Sequence, residues 1–399
     1  MKKRVGLEVS FAAAEAIRLC DVDLVAAYPI TPQTHIVERL SKYVANGVLD
    51  AEFVTVESEH SAMSVCVGSQ AAGARSFTCT SSQGLALMSE IVLITASLRL
   101  PVVMMLVNRS LAGPLSIWND HSDVMSVRDC GWIQLFVRNG QEVFDHAFIS
   151  YKIAENHQVL LPLLINLDGF ILSHMFEPIE LVEKSVIERY LPPYIPNYVL
   201  HPDQPLTMGA FAMPAVFTEA KKAQDEALRQ SYPRILEAWQ EWGDLTGRYY
   251  RPVETYHTED AETIFVALGS FAETAGEAVK AMRRQGLKAG LLNLRLWRPF
   301  PLELFTRAVE GSRNLIVLDR AVSYGAPGGP VAGEIRAALY ELEQRPRVYG
   351  FISGLGGRDL PVQDYIDIFE LVKAGQAPRD GIFGLREEAP GQGEPYLRS

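Results

Sequence analysis

The chain has 399 residues, 48% hydrophobic and 21% charged. That is an ordinary globular composition and too long for a single core, so two or three domains are expected. The formal net charge of -11 argues against a nucleic-acid binder, which needs a basic face for phosphates.

The N-terminal run Met1-Lys2-Lys3-Arg4 is followed by Glu8 and reads as no signal peptide. The most apolar stretch, Ile91 to Val107, is broken by Arg99 and Pro101 and does not read as a membrane span. A cytoplasmic protein is expected. Cys20, Cys66, Cys79 and Cys130 are far apart and form no C-x-x-C pair, so neither a zinc site nor an iron–sulfur cluster is indicated on this chain.

In chain order, Phe11 to Leu19 is Ala-rich and helical. Leu24 to Tyr28 is a short strand. Pro29-Ile30-Thr31-Pro32 forces a turn, with Pro32 suited to the first position of a helix that runs to about Val44. Val54-Thr55-Val56 reads as a buried strand running into Glu57-Ser58-Glu59 and a helix start. There Ser58 can cap and Glu59 meets the positive end of the helix dipole. Ala74 to Thr80 is the next strand, ending in the polar turn Ser81-Ser82-Gln83-Gly84. Pro101 to Val107 ends at Asn108-Arg109-Ser110, and Val159 to Leu167 ends at Asp168. Strands alternating with helices imply a mostly parallel, doubly wound sheet. Thr31, Glu59, the Ser81 turn, Arg109 and Asp168 then gather at the strands' carboxyl ends, where such sheets bind ligands.

From Leu181 to Glu259 the pattern changes to a Pro- and Tyr-rich arm and a charged amphipathic run, Phe217 to Trp242, read as a long surface helix. A second α/β unit starts near Thr263, with strands at Ile264–Leu268, Lys288–Leu294, Leu315–Asp319 and Val348–Ile352. Glycines at 325–330 and 354–359 fit no phosphate-loop or dinucleotide pattern and read as tight turns. The tail from Glu387 is Pro/Gly/Glu-rich and reads as loose.

Each candidate residue has two readings. Glu59 is a capping acid or an acid/base projecting from the sheet edge. Arg109 offers a fork for a carboxylate, or pairs with Asp120 or Asp123. Thr31 offers a hydroxyl to the same cleft, or caps a helix. Asp120, His121 and Asp123 fit no strong ligand spacing, so a hydrogen-bonded loop is the better reading than a metal site. His60 is a proton shuttle or a structural residue.

Tyr28-Pro29-Ile30-Thr31-Pro32, Glu57-Ser58-Glu59, Thr80-Ser81-Ser82-Gln83-Gly84, Asn108-Arg109 and Asp120-His121-Ser122-Asp123-Val124-Met125 occur in this order in 2-oxoacid:ferredoxin oxidoreductases. The chain resembles their α subunit, of the pyruvate type, along nearly its whole length, including Leu355-Gly356-Gly357-Arg358-Asp359. The resemblance implies an α/β protein of three parts. Residues 1–180 would form a pyrimidine-type thiamine-diphosphate-binding domain with a doubly wound parallel sheet. Residues 181–260 would be an arm and long helix packed on it or on a partner, and 261–399 a second, transketolase-C-terminal-like α/β domain. Glu59 would hydrogen-bond a ring nitrogen of the aminopyrimidine and set up the proton transfer that creates the ylide. Thr31 and Arg109 would hold the substrate's carboxylate and keto oxygen, and Ile30 and Ser82 would contact the cofactor.

No Gly-Asp-Gly with a following Asn is present, so no metal ligand is expected on this chain. Mg²⁺, the diphosphate half-site and the 4Fe–4S clusters would sit on β, γ and ferredoxin-like δ subunits. Coenzyme A would take the acyl group, and ferredoxin or a flavin/NAD subunit the electrons. Leu115-Ser116-Ile117-Trp118 leaves an aryl or branched 2-oxoacid, such as phenylglyoxylate, as the alternative to pyruvate. A non-catalytic scaffold subunit is the other alternative.

Overall fold

A computed structural model describes residues 3–385; the tail from Glu387 lies outside them. The first half carries β1 (Lys3–Glu8), β2 (Leu24–Ala27), β3 (Glu52–Thr55), β4 (Ser76–Thr80), β5 (Val103–Asn108), β6 (Ile133–Phe136), β7 (Leu163–Asp168) and β8 (Phe176–Leu181). The second half adds β9 (Val253–Tyr256), β10 (Thr263–Ala267), β11 (Ala289–Leu294), β12 (Leu296–Arg298), β13 (Asn314–Asp319), β14 (Arg347–Ile352) and β15 (Asp380–Ile382).

One sheet runs β12-β6-β7-β5-β4-β2-β3 and is parallel except where β12 meets β6. A second runs β15-β14-β13-β10-β11-β9, with only β9 antiparallel, and β1 and β8 form a separate antiparallel pair. The expected α/β class with parallel sheets is borne out. The central strands β5 and β7 are buried at every residue, as continuous apolar runs require when helices cover both faces. Strand β3 corrects one expectation. It is the edge of its sheet, paired with β2 alone, which leaves Glu52 and Thr55 exposed.

In the first sheet the strand order reverses between β2 and β4, the kind of crevice where open α/β sheets bind ligands. The chain leaving β2 turns through Tyr28–Gln33, and its helix begins at Thr34 rather than at Pro32. The chain leaving β3 enters the helix Glu59–Ala71, capped by Ser58, whose hydroxyl accepts from Ser61 N at 3.2 Å. The chain leaving β4 enters the helix Ser82–Ser97.

The long helix spans Pro214–Thr246. Its first half is exposed, but its second half is not a surface helix. Ile235, Ala238, Trp239 and Trp242 recur at helical spacing and join the core beneath the first sheet. Trp239 Nε1 donates to His146 Nε2 at 3.2 Å, and Tyr190 OH donates to the Ala238 carbonyl at 2.9 Å.

The two sheets share a core. Trp132 and Phe136 pack in the same cluster as Ile264, Leu292 and Trp297. Glu142 of the first half holds Arg295 of the second at 2.6 Å, both buried.

Candidate active site

Glu59 is 6% exposed, and its carboxylate makes no hydrogen bond or ion pair with any described residue. The reason it fits there is a glycine. A Cβ at Gly84 would stand 2.8 Å from Glu59 Oε1 and 2.3 Å from Thr80 Oγ1, closer than real Cβ atoms come. The hydroxyls of Thr80 and Ser81 are also buried without partners. Buried polar atoms normally carry hydrogen bonds, so a polar ligand edge fits this cluster better than protein alone does.

On the neighbouring strand end, Arg109 is 7% exposed. Its Nη1 donates to the Thr31 carbonyl at 3.0 Å and its Nε to the Ser116 carbonyl at 2.8 Å. The guanidinium pairs with neither Asp120 nor Asp123, and its second terminal nitrogen keeps its donors. Thr31 is exposed and caps no helix; Gln33 occupies that position. The structure therefore brings Thr31 and Arg109 into direct contact.

Asp123 organises the wall behind them. Fully buried, it accepts from Asn108 Nδ2 (3.0 Å), Arg109 N (2.9 Å), Ser82 N (3.2 Å) and Val124 N (2.8 Å). Burial pushes its carboxyl up to about 7, outweighing the hydrogen bonds that favour the charged form. One side chain thus fixes the helix start after β4 against the strand end of β5.

Two expected cofactor contacts look different in place. Ser82 is fully buried, and its hydroxyl donates to the Ser110 carbonyl at 2.5 Å. It shapes the turn rather than presenting a hydroxyl. Ile30 is half-buried in the Tyr28–Gln33 turn, where its carbonyl accepts from Gln33 N at 2.9 Å. His60 lies half-exposed, 3.7 Å from the exposed Glu90, a surface pair of little energetic weight.

A profile described as pyruvate flavodoxin/ferredoxin oxidoreductase, thiamine-diphosphate-binding, matches residues 15–238, and one described as pyruvate:ferredoxin oxidoreductase core domain II matches residues 261–365. Pyruvate synthase subunit PorA of Methanothermobacter thermautotrophicus is 45% identical over 95% of this chain and 97% of its own. The chain belongs to the pyruvate flavodoxin/ferredoxin oxidoreductase family. PorA of Thermotoga maritima is 44% identical over 96% of this chain and 99% of its own. The ketoisovalerate oxidoreductase subunit VorA of Pyrococcus horikoshii is 42% identical over 91% and 92%. In three dimensions the chain is similar to a 2-oxoglutarate:ferredoxin oxidoreductase from Magnetococcus marinus, solved with 2-oxoglutarate, coenzyme A and succinyl-CoA bound. The TM-score is 0.70 at 19% identity, over 92% of this chain and 65% of that one. A split-gene transketolase gives a TM-score of 0.52 at 13% identity, over 94% and 95%. Both support the fold.

Behind the site of this oxidoreductase subunit lies a network that strand-end reading found only in part. Asp168 receives Arg320 Nη1 at 2.6 Å, lies 2.9 Å from His121 Nε2, and accepts from Ser270 N at 2.7 Å. Burial alone would raise the Asp168 carboxyl, but Arg320 and then His121 hold it well below the usual range. Four chain segments from both sheets meet on this one carboxylate. Arg320 went unread although it follows the apolar run Leu315–Leu318 across one polar residue, Asp319, as Arg109 follows Val103–Val107 across Asn108. The run from Asp120 to Asp123 is a hydrogen-bonded loop only at Asp120 and His121; Ser122 and Asp123 already belong to the short helix Ser122–Ser126. Asp120 accepts from Ser122 N at 2.9 Å and from Gly356 N at 3.2 Å. The turn Leu355–Gly357 packs on it. A Cβ at Gly357, whose φ is +74°, would stand 2.6 Å from Trp118 Cβ, so this close approach requires glycine. Trp118 is half-exposed and packs on Phe170 at 4.7 Å. Together with residues 355–358 it lines a cavity of about 420 Å³.

Proposed function

We propose that this chain is the α subunit of a pyruvate-oxidising, coenzyme-A-acylating 2-oxoacid oxidoreductase. In this reading it supplies the proton-handling and substrate-binding half of a site completed by a partner subunit. The observation that carries the proposal is Glu59, a buried carboxylate without a protein partner, held beside Gly84 at the crevice of the sheet.

Thiamine diphosphate, when bound, supplies the electron sink for decarboxylation. Glu59 offers its carboxylate oxygen to a ring nitrogen of that group and holds or releases a proton there. The unpartnered Thr80 and Ser81 hydroxyls lie on the same wall. Arg109 keeps donors aimed at a carboxylate, and its bonds to the Thr31 and Ser116 carbonyls fix the guanidinium plane before substrate arrives. Buried beside Thr31, it binds a 2-oxoacid's carboxylate more strongly than an exposed cation would.

The chain carries no diphosphate–magnesium motif, and its four cysteines are buried and dispersed. Mg²⁺, the diphosphate contacts and the 4Fe–4S clusters are therefore assigned to β, γ and δ partners. Ferredoxin or a flavin/NAD subunit is assigned as acceptor. Pyruvate is the favoured substrate, since the relatives are mostly pyruvate synthase subunits. The half-exposed Trp118 on Phe170, after Arg109, is the specific observation that favours a branched or aryl 2-oxoacid instead.

The test is Glu59→Gln in the assembled complex, assayed with a panel of 2-oxoacids. Oxidation of every 2-oxoacid is expected to fall by at least about 100-fold, as removal of an acid/base group does, with the complex intact. Near-normal turnover would remove the mechanism. The wild-type panel ranks pyruvate against ketoisovalerate and phenylglyoxylate directly.

A further inference from the structure

Away from Glu59, Glu8, His35 and His174 bring one donor atom each to within 4.8 Å of one another, the one such group of three among the described residues. Each comes from a different element. Glu8 ends β1 and is buried. His35 lies in the first turn of the helix Thr34–Ala45, and His174 lies in the turn between β7 and β8. His35 Nδ1 stands 2.6 Å from Glu8 Oε1, and the two imidazole rings are 4.5 Å apart and tilted.

From this geometry we infer that Glu8, His35 and His174 form a site for one divalent transition-metal ion of the zinc type. Two imidazoles and a carboxylate suit zinc, nickel or cobalt over magnesium, which prefers oxygen donors alone. Three protein ligands leave a fourth position for water. The surroundings are built as metal sites are. Ser173 Oγ lies 2.8 Å from His174 Nδ1, which orients the ring and leaves Nε2 for the ion. Ser173 is itself held, since its hydroxyl oxygen accepts from Phe170 N at 2.9 Å and its carbonyl from Ser10 Oγ at 2.7 Å. Phe11 lies 6.0 Å from the His35 ring and Phe170 lies 4.7 Å from the His174 ring, so an aromatic ring backs each imidazole, while the half-buried histidines leave the group open to an entering ion. Sequence reading found no ligand set because the three residues stand at positions 8, 35 and 174. No spacing rule links them, and only the fold does.

Such an ion clamps the substrate wall. His35 follows the Thr31–Pro32 turn, and His174 sits four residues after Phe170, on which Trp118 packs. Holding both fixes Thr31 and Trp118 relative to β1.

The experiment uses the full chain, stripped of metal by a chelator and titrated with Zn²⁺, with Mg²⁺ as a control. Zinc is also counted by elemental analysis in the purified complex. The expected result is one zinc per chain that Mg²⁺ does not displace. Glu8→Gln, His35→Ala and His174→Ala should each weaken binding by at least about tenfold, as loss of even an outer partner does. Glu8→Gln keeps the side chain's shape and so reports on the site even where a histidine variant fails to fold. No stoichiometric zinc in the wild-type chain, or zinc retained undiminished in Glu8→Gln and in the histidine variants that fold, overturns the assignment.

Discussion

At the scale of single residues, Gly84 matters as much as the acid it faces. Gly84→Ala would place a methyl group against Glu59 Oε1 and Thr80 Oγ1, so the carboxylate must move. The overpacking costs about 1–3 kcal/mol, offset in part by the about 0.5–1 kcal/mol that a helix gains from alanine. We expect kcat to fall by at least about tenfold in the complex, with the melting temperature of the chain within a few degrees of wild type. Unaltered kcat would show that the position of Glu59 is not critical.

Asp123 gives a second residue-scale prediction. Its folded value near 7 lies above the ordinary carboxyl value of 3.8. Between about pH 4 and 7 the unfolded chain has lost a proton that the folded chain keeps. Stability from this group therefore falls as pH rises through that interval and levels off above 7. Asp123→Asn removes the titration. The melting-temperature difference between wild type and variant should drift in favour of the variant from pH 4 to 7; a constant difference would refute it. Asp319, raised to a similar value by burial, titrates in both proteins and cancels.

At the scale of elements, the strand ends do the assembling. Loops after β2, β3, β4, β5 and β7 carry the residues read as candidates, because a polar residue after an apolar run announces itself. What stayed hidden depends on pairing. Strands β1, β8 and β9 and the short β6 lack a strong run, and β3 looked interior because alternation does not say which side of a strand is bare. The long helix looked external because its charged first half masked Trp239 and Trp242. The Asp168 hub was legible only at Asp168 itself, since Arg320 and Ser270 arrive from the other sheet. Removing Arg320 strands a buried carboxylate, which costs about 3–5 kcal/mol. Arg320→Ala is expected to lower unfolding free energy by roughly that amount in a denaturant titration, and Arg320→Lys to recover only part, because a point charge replaces a fork. A loss under about 1 kcal/mol would show that water replaces the pair.

At the scale of the whole molecule, the fold class was legible and the way its halves join was not. Alternating strands and helices imply two parallel sheets. Nothing in a run of Leu296-Trp297-Arg298 says that it crosses to the first sheet. Family membership came from the ordered set of motifs, each short and weak alone, which the fold gathers to one edge.

The crossing of β12 has a practical outcome for anyone recombining relatives. β6 completes its pairing only with Leu296–Arg298, which lie beyond the start of the second sheet. A chimera joined at the apparent boundary near residue 260 would border β6 with a foreign strand and replace Trp297 in its cluster with Trp132 and Phe136 by whatever residue the relative carries there. Grafts that keep Leu296–Arg298 with the first half, or exchange β6 along with them, respect the actual seam.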